Sequence, residues 1–177
     1  MFEESNHPKI SVLIPVYNVE KYVRRCLFSV LNQTMQEGVE VIIVNDCTPD
    51  HSMEEIFEAL RAYSGNERGE KVSVRVVNHD TNHGLAVVRN TAMNYATGDY
   101  VIHVDSDDWI EPDMLEKLYA CAMDTKADIV CCNISLEYKS RQENLCYPYK
   151  EEQYKDLLYI DVLRCLEQTD QEKFICK

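Results

Sequence analysis

Apolar residues recur along this chain in two alternating rhythms. Ile10 to Val16, Val39 to Val44, Val72 to Val77 and Tyr100 to Val104 are short, nearly continuous runs rich in β-branched residues. Such runs predict buried strands. Between them apolar residues return every three or four positions, the spacing that lines one face of a helix. Asn18 is the expected N-cap of the first helix. Its inner face would be Val19, Tyr22, Val23, Cys26, Leu27, Val30 and Leu31. Ser52-Met53-Glu54-Glu55 reads as a capping box, in which Ser52 and Glu55 satisfy each other's backbone donors. It opens a helix with Met53, Ile56, Phe57, Leu60 and Tyr63 inward, followed by a polar loop from Ser64 to Lys71. A third helix is expected over Leu85 to Ala96, closed by Gly98. Pro112 fits the first turn of a fourth, with Leu115, Leu118 and Ala122 inward. Beyond it the pattern predicts a fifth strand over Asp128 to Ile134, a loop over Lys139 to Glu152 and a last helix over Tyr154 to Leu166.

Alternating strands and helices predict an α/β fold with a mainly parallel, Rossmann-like sheet and helices on both faces. In open parallel sheets ligands bind beyond the carboxyl ends of the strands. Four polar clusters fall at such ends: Tyr17-Asn18, Asn45-Asp46, Asn78 to Gly84, and Asp105 to Asp108. Their convergence on one rim says more than any one of them.

The last cluster is the sharpest. Asp105, Asp107 and Asp108 put three carboxylates within four residues at the mouth of a strand. Packed together without compensation they repel one another. Magnesium or manganese takes such oxygen ligands, often alongside substrate phosphates. A metal-bridged phosphate ester, a nucleotide above all, is therefore expected. Each polar residue also has a plainer reading. Tyr17 packs at a strand exit, or offers a ring face to a base. Asp46 caps a loop, or accepts hydrogen bonds from a base or ribose. Asn82-His83-Gly84 is a turn with Gly84 at positive φ, or part of a ligand loop. Arg89 is a surface ion-pair partner, or pairs with phosphate. His103, inside a strand, reads as a core or sheet-face residue.

Composition narrows the partners. One domain fits the 177 residues, and the net charge of −13 argues against nucleic acid and against adhesion to anionic lipid. Lys21, Arg24 and Arg25 form the tight basic cluster near the start. The eight cysteines lack C-x-x-C spacing and zinc-type histidine partners. They read as reduced, structural thiols, which implies a cytoplasmic setting. The acidic N-terminus is not a signal peptide, and no apolar run approaches the ~18 residues of a membrane span.

In order and spacing, several segments resemble family 2 glycosyltransferases of the GT-A fold. They are Ser11-Val12-Leu13-Ile14-Pro15-Val16-Tyr17-Asn18, Val44-Asn45-Asp46-Cys47-Thr48-Pro49-Asp50, Asn82-His83-Gly84 through Arg89-Asn90, Gly98-Asp99-Tyr100, and Asp105-Ser106-Asp107-Asp108 with Pro112 beyond. The resemblance covers residues 9–135. It implies a tail over 1–8, a nucleotide-sugar-binding domain over 9–138, and the start of an acceptor-side region over 139–177. By this resemblance Pro15, Tyr17, Asn18, Asp46, Asn82, Gly84, Arg89, Asp105, Ser106 and Asp108 would bind the nucleotide-sugar. Tyr17 would lie against uracil, and Asp46 would bond the base or ribose. Asp105 and Asp107 match the D-x-D pair, with Asp107 on a magnesium or manganese ion bridging the diphosphate and Asp105 on the ribose or metal. The implied activity is inverting transfer from a UDP-sugar to a saccharide or lipid-linked acceptor, in cell-surface polysaccharide or glycolipid synthesis at the cytoplasmic face of a membrane. The base that takes the acceptor proton would come from a later acidic motif, expected near or beyond Lys177. Glu167, Asp170 and Glu172 lack a convincing motif context. A donor-binding fragment, or a nucleotide-sugar-binding module without turnover, is the second reading.

Other carboxylate sites fit less well. A haloacid-dehalogenase-type phosphohydrolase would continue its D-x-D with Gly and Thr or Val, where Asp108-Trp109 stand. An EF-hand loop fails on spacing. A sugar nucleotidyltransferase needs a Gly-rich, Arg-containing loop after the first strand, where Pro15-Val16-Tyr17-Asn18-Val19-Glu20 stands.

Overall fold

The computed structural model describes residues 7–35, 37–64, 72–137, 142–145 and 175–176. Four strands form a parallel sheet: β1 (Ile10–Val16), β2 (Val39–Asn45), β3 (Ser73–Asn78) and β4 (Tyr100–His103). They alternate with helices α1 (Val23–Leu31), α2 (Ser52–Ser64) and α3 (Leu85–Tyr95), and α4 (Met114–Thr125) follows β4. The strand order is β3-β2-β1-β4, and β7 (Ile175–Cys176) adds an antiparallel edge beside β4. A separate hairpin pairs β5 (Ile134–Glu137) with β6 (Gln142–Leu145).

The continuous apolar strands are explained by burial on both faces. Ile10, Val12, Ile14 and Val16 of β1 face a core shared with α1, α2 and α4. Leu13 points the other way, packing with Ile42, Val44 and Val101 against Val88 and Ala92 of α3. The topology follows from handedness. The chain steps from β1 to β2 to β3, then returns past β1 to β4. Right-handed crossovers put the helices of the outward steps on one face and the return helix on the other. The reversal makes β1 and β4 the switch point of the sheet, where a crevice opens. Register levels the rim: Val16 lies opposite Asn45, and Asn45 opposite Asn78.

Several expectations are corrected. The first helix begins at Val23, not after Asn18. Asn18 has φ of 56°, a left-handed turn conformation, and a tight turn holds residues 19–22 by bonds to the Val19 carbonyl. Tyr22, expected inward, is exposed. The capping box over Ser52 and Glu55 does not form. Ser52 Oγ donates to Asp50 Oδ1 at 2.6 Å, and Arg24 reaches the Glu55 carboxylate. In α2, Ala59 takes the inner slot expected for Phe57, which is exposed. Gly98 does not close α3, which ends in an extended Ala96. It is needed for close packing, because a Cβ there would lie 2.8 Å from Ser11. The strand expected over Asp128 to Ile134 starts only at Ile134, where it joins the hairpin. The free edge of β4 is taken by β7 instead. Within the expected loop over Lys139 to Glu152, Gln142–Leu145 is a strand held by backbone pairing, which its polar side chains did not announce. Among the described residues Cys26 is buried, and Cys47, Cys121, Cys131 and Cys132 are exposed. Residues 1–6 and 65–71, the helix expected over Tyr154 to Leu166, and Glu167, Asp170 and Glu172 lie outside the described residues. Among those described, no helix is long and apolar enough to cross a membrane.

Candidate functional site

A cavity of about 310 Å³ opens at the switch point. That is the lower end of the range for small-molecule sites. Its lining comes from the four strand ends: Pro15, Val16 and Tyr17 after β1, Asp46 after β2, Asn82 and Gly84 after β3, and Asp105, Ser106 and Asp107 after β4, with Leu85 and Val88 of α3. Pro15, Tyr17, Asp46, Asn82, Gly84, Asp105, Ser106 and Asp107 thus line one cavity. Asn18, Arg89 and Asp108 do not line it. Val16, Leu85 and Val88 do, and sequence reading missed them because apolar residues carry no chemical signature.

Asp46 is the buried charge of the site, 2% exposed. Its Oδ1 accepts from His79 Nδ1 at 2.8 Å and from the His83 N–H at 2.9 Å, and Oδ2 accepts from the Gly84 N–H at 2.8 Å. Burial pushes this carboxyl up, but those three bonds outweigh it, and the net shift is downward. Asp46 is therefore an ionised acceptor. It also caps a loop, though the one after β3 and not its own. Gly84 meets it with φ of 83° and ψ of 161°, a backbone that glycine adopts without strain.

After β4 the chain makes a tight turn, the Asp108 N–H donating to the Asp105 carbonyl at 2.9 Å. The turn buries Ser106 and exposes Asp107. Cys26 Sγ, on α1, lies 3.5 Å from the Asp105 carbonyl and anchors the turn from below. Arg89 donates from Nη2 to Asp105 Oδ1 at 2.9 Å, in a part-buried pair. It acts on the cavity through Asp105. Beneath them His103 is held neutral to lower pH than usual, first by burial and then by the Arg89 charge. Its place on the sheet face under α3 fits the core reading.

The wall carrying Tyr17 is braced by residues whose role the sequence did not reveal. The Asn18 N–H donates to Thr48 Oγ1, the Val19 N–H to Ser52 Oγ, and the Glu20 N–H to Asp50 Oδ2, all within 3.0 Å. Asp50 also accepts from the Thr48 and Ser52 hydroxyls. Burial raises its carboxyl, and these bonds overcome that and hold it well below the usual carboxylate range. Tyr17, 47% exposed, is held at the cavity mouth and not packed into the core.

Among the described residues no three His, Cys, Asp or Glu side chains form a cage for a metal ion. The donor set fits a different kind of site. The exposed Asp107 and the half-buried Asp105 beside it suit a hard cation that completes its shell with ligand oxygens and water, the habit of magnesium.

Comparison with known proteins agrees with this architecture. The family model for glycosyl transferase family 2 matches residues 11–159. The putative glycosyltransferase EpsH of Bacillus subtilis is 38% identical over 149 residues, covering 82% of this chain and 40% of EpsH. The crystal structure of S. aureus TarS 1-349 in complex with UDP-GlcNAc superposes with a TM-score of 0.60 at 33% identity, covering 68% of this chain and 33% of that one. The mannosyltransferase PcManGT of Pyrobaculum calidifontis shares the fold, with a TM-score of 0.62 at 22% identity over 72% of this chain and 36% of its own. The chain spans less than half the length of EpsH, GlyA and EpsJ, curated relatives that it matches. With the model covering most of its length and a GT-A sheet beneath the site, the chain belongs to glycosyl transferase family 2.

Proposed function

We propose that the chain carries the donor-binding part of an inverting glycosyltransferase that uses a UDP-sugar and a divalent cation. One observation carries this reading: four strand-end loops meet at the switch-point cavity with an exposed aromatic ring, a buried ionised acceptor and an exposed carboxylate. Tyr17 offers a face for the uracil ring, and Asp46 accepts from the base or ribose. The loop at Asn82 and Gly84 supports the nucleotide. Arg89 holds Asp105 in place, and Ser106 and Asp108 set the turn that presents Asp107.

Asp107, with Asp105, would hold magnesium or manganese. A bound divalent cation supplies Lewis-acid neutralisation of the charge that grows on the departing diphosphate. The side chains of the cavity hold and orient the donor so that an acceptor hydroxyl attacks the anomeric carbon from the opposite face. The UDP and UDP-GlcNAc in the TarS structures favour a uridine donor. A poly(ribitol-phosphate) beta-glucosyltransferase of Bacillus spizizenii, 38% identical over 122 residues, favours a cell-surface polymer or glycolipid as acceptor. The reaction would then take place at the inner face of the cytoplasmic membrane, on a saccharide or lipid-linked hydroxyl.

The test is calorimetric titration of UDP with manganese into the wild type and Asp107→Ala. The variant should keep its melting temperature and lose at least about tenfold in manganese-dependent affinity, as expected for removal of a charged ligand. Unchanged affinity refutes the metal assignment.

A further inference from the structure

His79, the residue after β3, has a side chain only 11% exposed and bonded at both ring nitrogens. Its Nδ1 is 2.8 Å from Asp46 Oδ1, and its Nε2 is 3.0 Å from Thr91 Oγ1 on α3. Hydroxyl, imidazole and carboxylate in series form the arrangement that activates a nucleophile in hydrolases, where the hydroxyl faces the substrate. Here the series is turned round. Asp46 lines the cavity and Thr91 does not.

The proton positions follow. An ionised carboxylate only accepts, so His79 Nδ1 carries the proton and donates. In the neutral ring Nε2 then accepts, and the Thr91 hydroxyl donates to it. Among the described residues, Asp46 Oδ1 takes two donors, His79 and the His83 N–H, and Oδ2 takes one, the Gly84 N–H. A carboxylate has roughly four acceptor positions, so the open one is on Oδ2. An acceptor fixed in rotation, with a single open position, distinguishes a base edge that carries N–H from one that presents a bare ring nitrogen. The bare nitrogen would face the carboxylate lone pair against lone pair.

We infer that His79 and Thr91 are positioning residues that lock Asp46 in one orientation as an acceptor. They thereby set a preference for bases with a ring N–H, as in uridine, over bases with a bare ring nitrogen, as in cytidine. The inference rests on the nucleotide-binding reading of the same cavity.

The experiment titrates UDP and CDP into the full chain and into His79→Phe, His79→Asn and Thr91→Val. The wild type should prefer UDP by at least about tenfold, the scale of one hydrogen bond to a charged group. His79→Phe should weaken UDP about tenfold and leave CDP within about threefold, so the preference collapses. His79→Asn, whose amide nitrogen stands near the place of Nδ1, should restore it. Thr91→Val should reduce it in part. Nitrogen-15 spectra of the wild type should show His79 Nδ1 protonated. If the wild type prefers UDP but His79→Phe and Thr91→Val keep the full preference, or if Nδ1 is bare, the inference is overturned while the site reading stands. If the wild type binds neither nucleotide, the site reading itself fails. Should His79→Phe not fold, Thr91→Val and the nitrogen spectra decide.

Discussion

Tyr17 shows how one residue's exposure changes its meaning. A tyrosine leaving a buried strand normally packs its ring and bonds its hydroxyl. This one keeps 47% of its surface exposed beside the cavity. Base–aromatic stacking contributes about 1–3 kcal/mol, so Tyr17→Ala should weaken UDP binding about tenfold or more. The loss should be the same with and without manganese, since stacking on the base does not depend on the ion. Calorimetry in the two conditions measures it, and equal affinity of variant and wild type would remove the stacking role. Asp50 makes the complementary case. Its carboxylate accepts from two hydroxyls and two backbone N–H groups. Asp50→Ala should cost about 2 kcal/mol of unfolding free energy. Because the folded-state pKa is depressed, the contribution is present above the unfolded value and lost as pH falls through the folded one. The gap between wild type and variant in denaturant melts should hold from pH 7 to pH 5 and narrow only below about 3.9.

At the level of elements, the strands of the sheet were legible because burial on both faces leaves a continuous apolar run. Ile10 to Val16 matches β1 in full. Helix interiors were legible for the same reason: Leu115, Leu118 and Ala122 are the buried positions of α4. Helix starts were not. Whether Asn18 or Ser52 caps depends on bonds between two loops distant in sequence, and those bonds recruit Asn18 to a left-handed turn and Ser52 to Asp50. The hairpin of β5 and β6 escaped because backbone pairing, not apolar alternation, makes it. At the site, charged and aromatic residues could be read from type and order. His79 and Thr91 could not, since a histidine at a strand end is distinctive only once Asp46 is seen beside it. Gly98 was noticed for the wrong reason. Its role is close approach between the α3–β4 loop and β1, where a Cβ would meet Ser11 backbone nitrogen at 2.8 Å. Gly98→Ala should therefore destabilise by about 1–3 kcal/mol, the usual cost of forcing atoms into a packed junction. A urea melt measures it. A neutral or stabilising result would mean that the junction yields.

At the scale of the whole molecule, charge sets a problem that the site must solve. The chain carries a net −13, and the ligand proposed for it is a diphosphate. Like charges lower both encounter rate and affinity, most strongly at low ionic strength. Among the described residues Arg89 brings a cation to the turn and is engaged with Asp105, while Arg25 stacks on Trp109 just beyond it. The pyrophosphate therefore needs a positive partner brought with it, whereas the nucleoside does not. This separates two ligands that share a base. Chelating divalent ions should reduce UDP affinity at least about tenfold and leave uridine affinity within about twofold, because the nucleoside lacks the oxygens that share the ion. In the chelated state, raising salt from about 0.02 to 0.2 M should strengthen UDP binding by screening the repulsion, opposite to the salt response of a basic phosphate site. Parallel titrations of UDP and uridine, with and without chelator at two ionic strengths, measure all of these. If UDP affinity is indifferent to chelation, the carboxylate rim does not act through an ion, and the metal assignment fails.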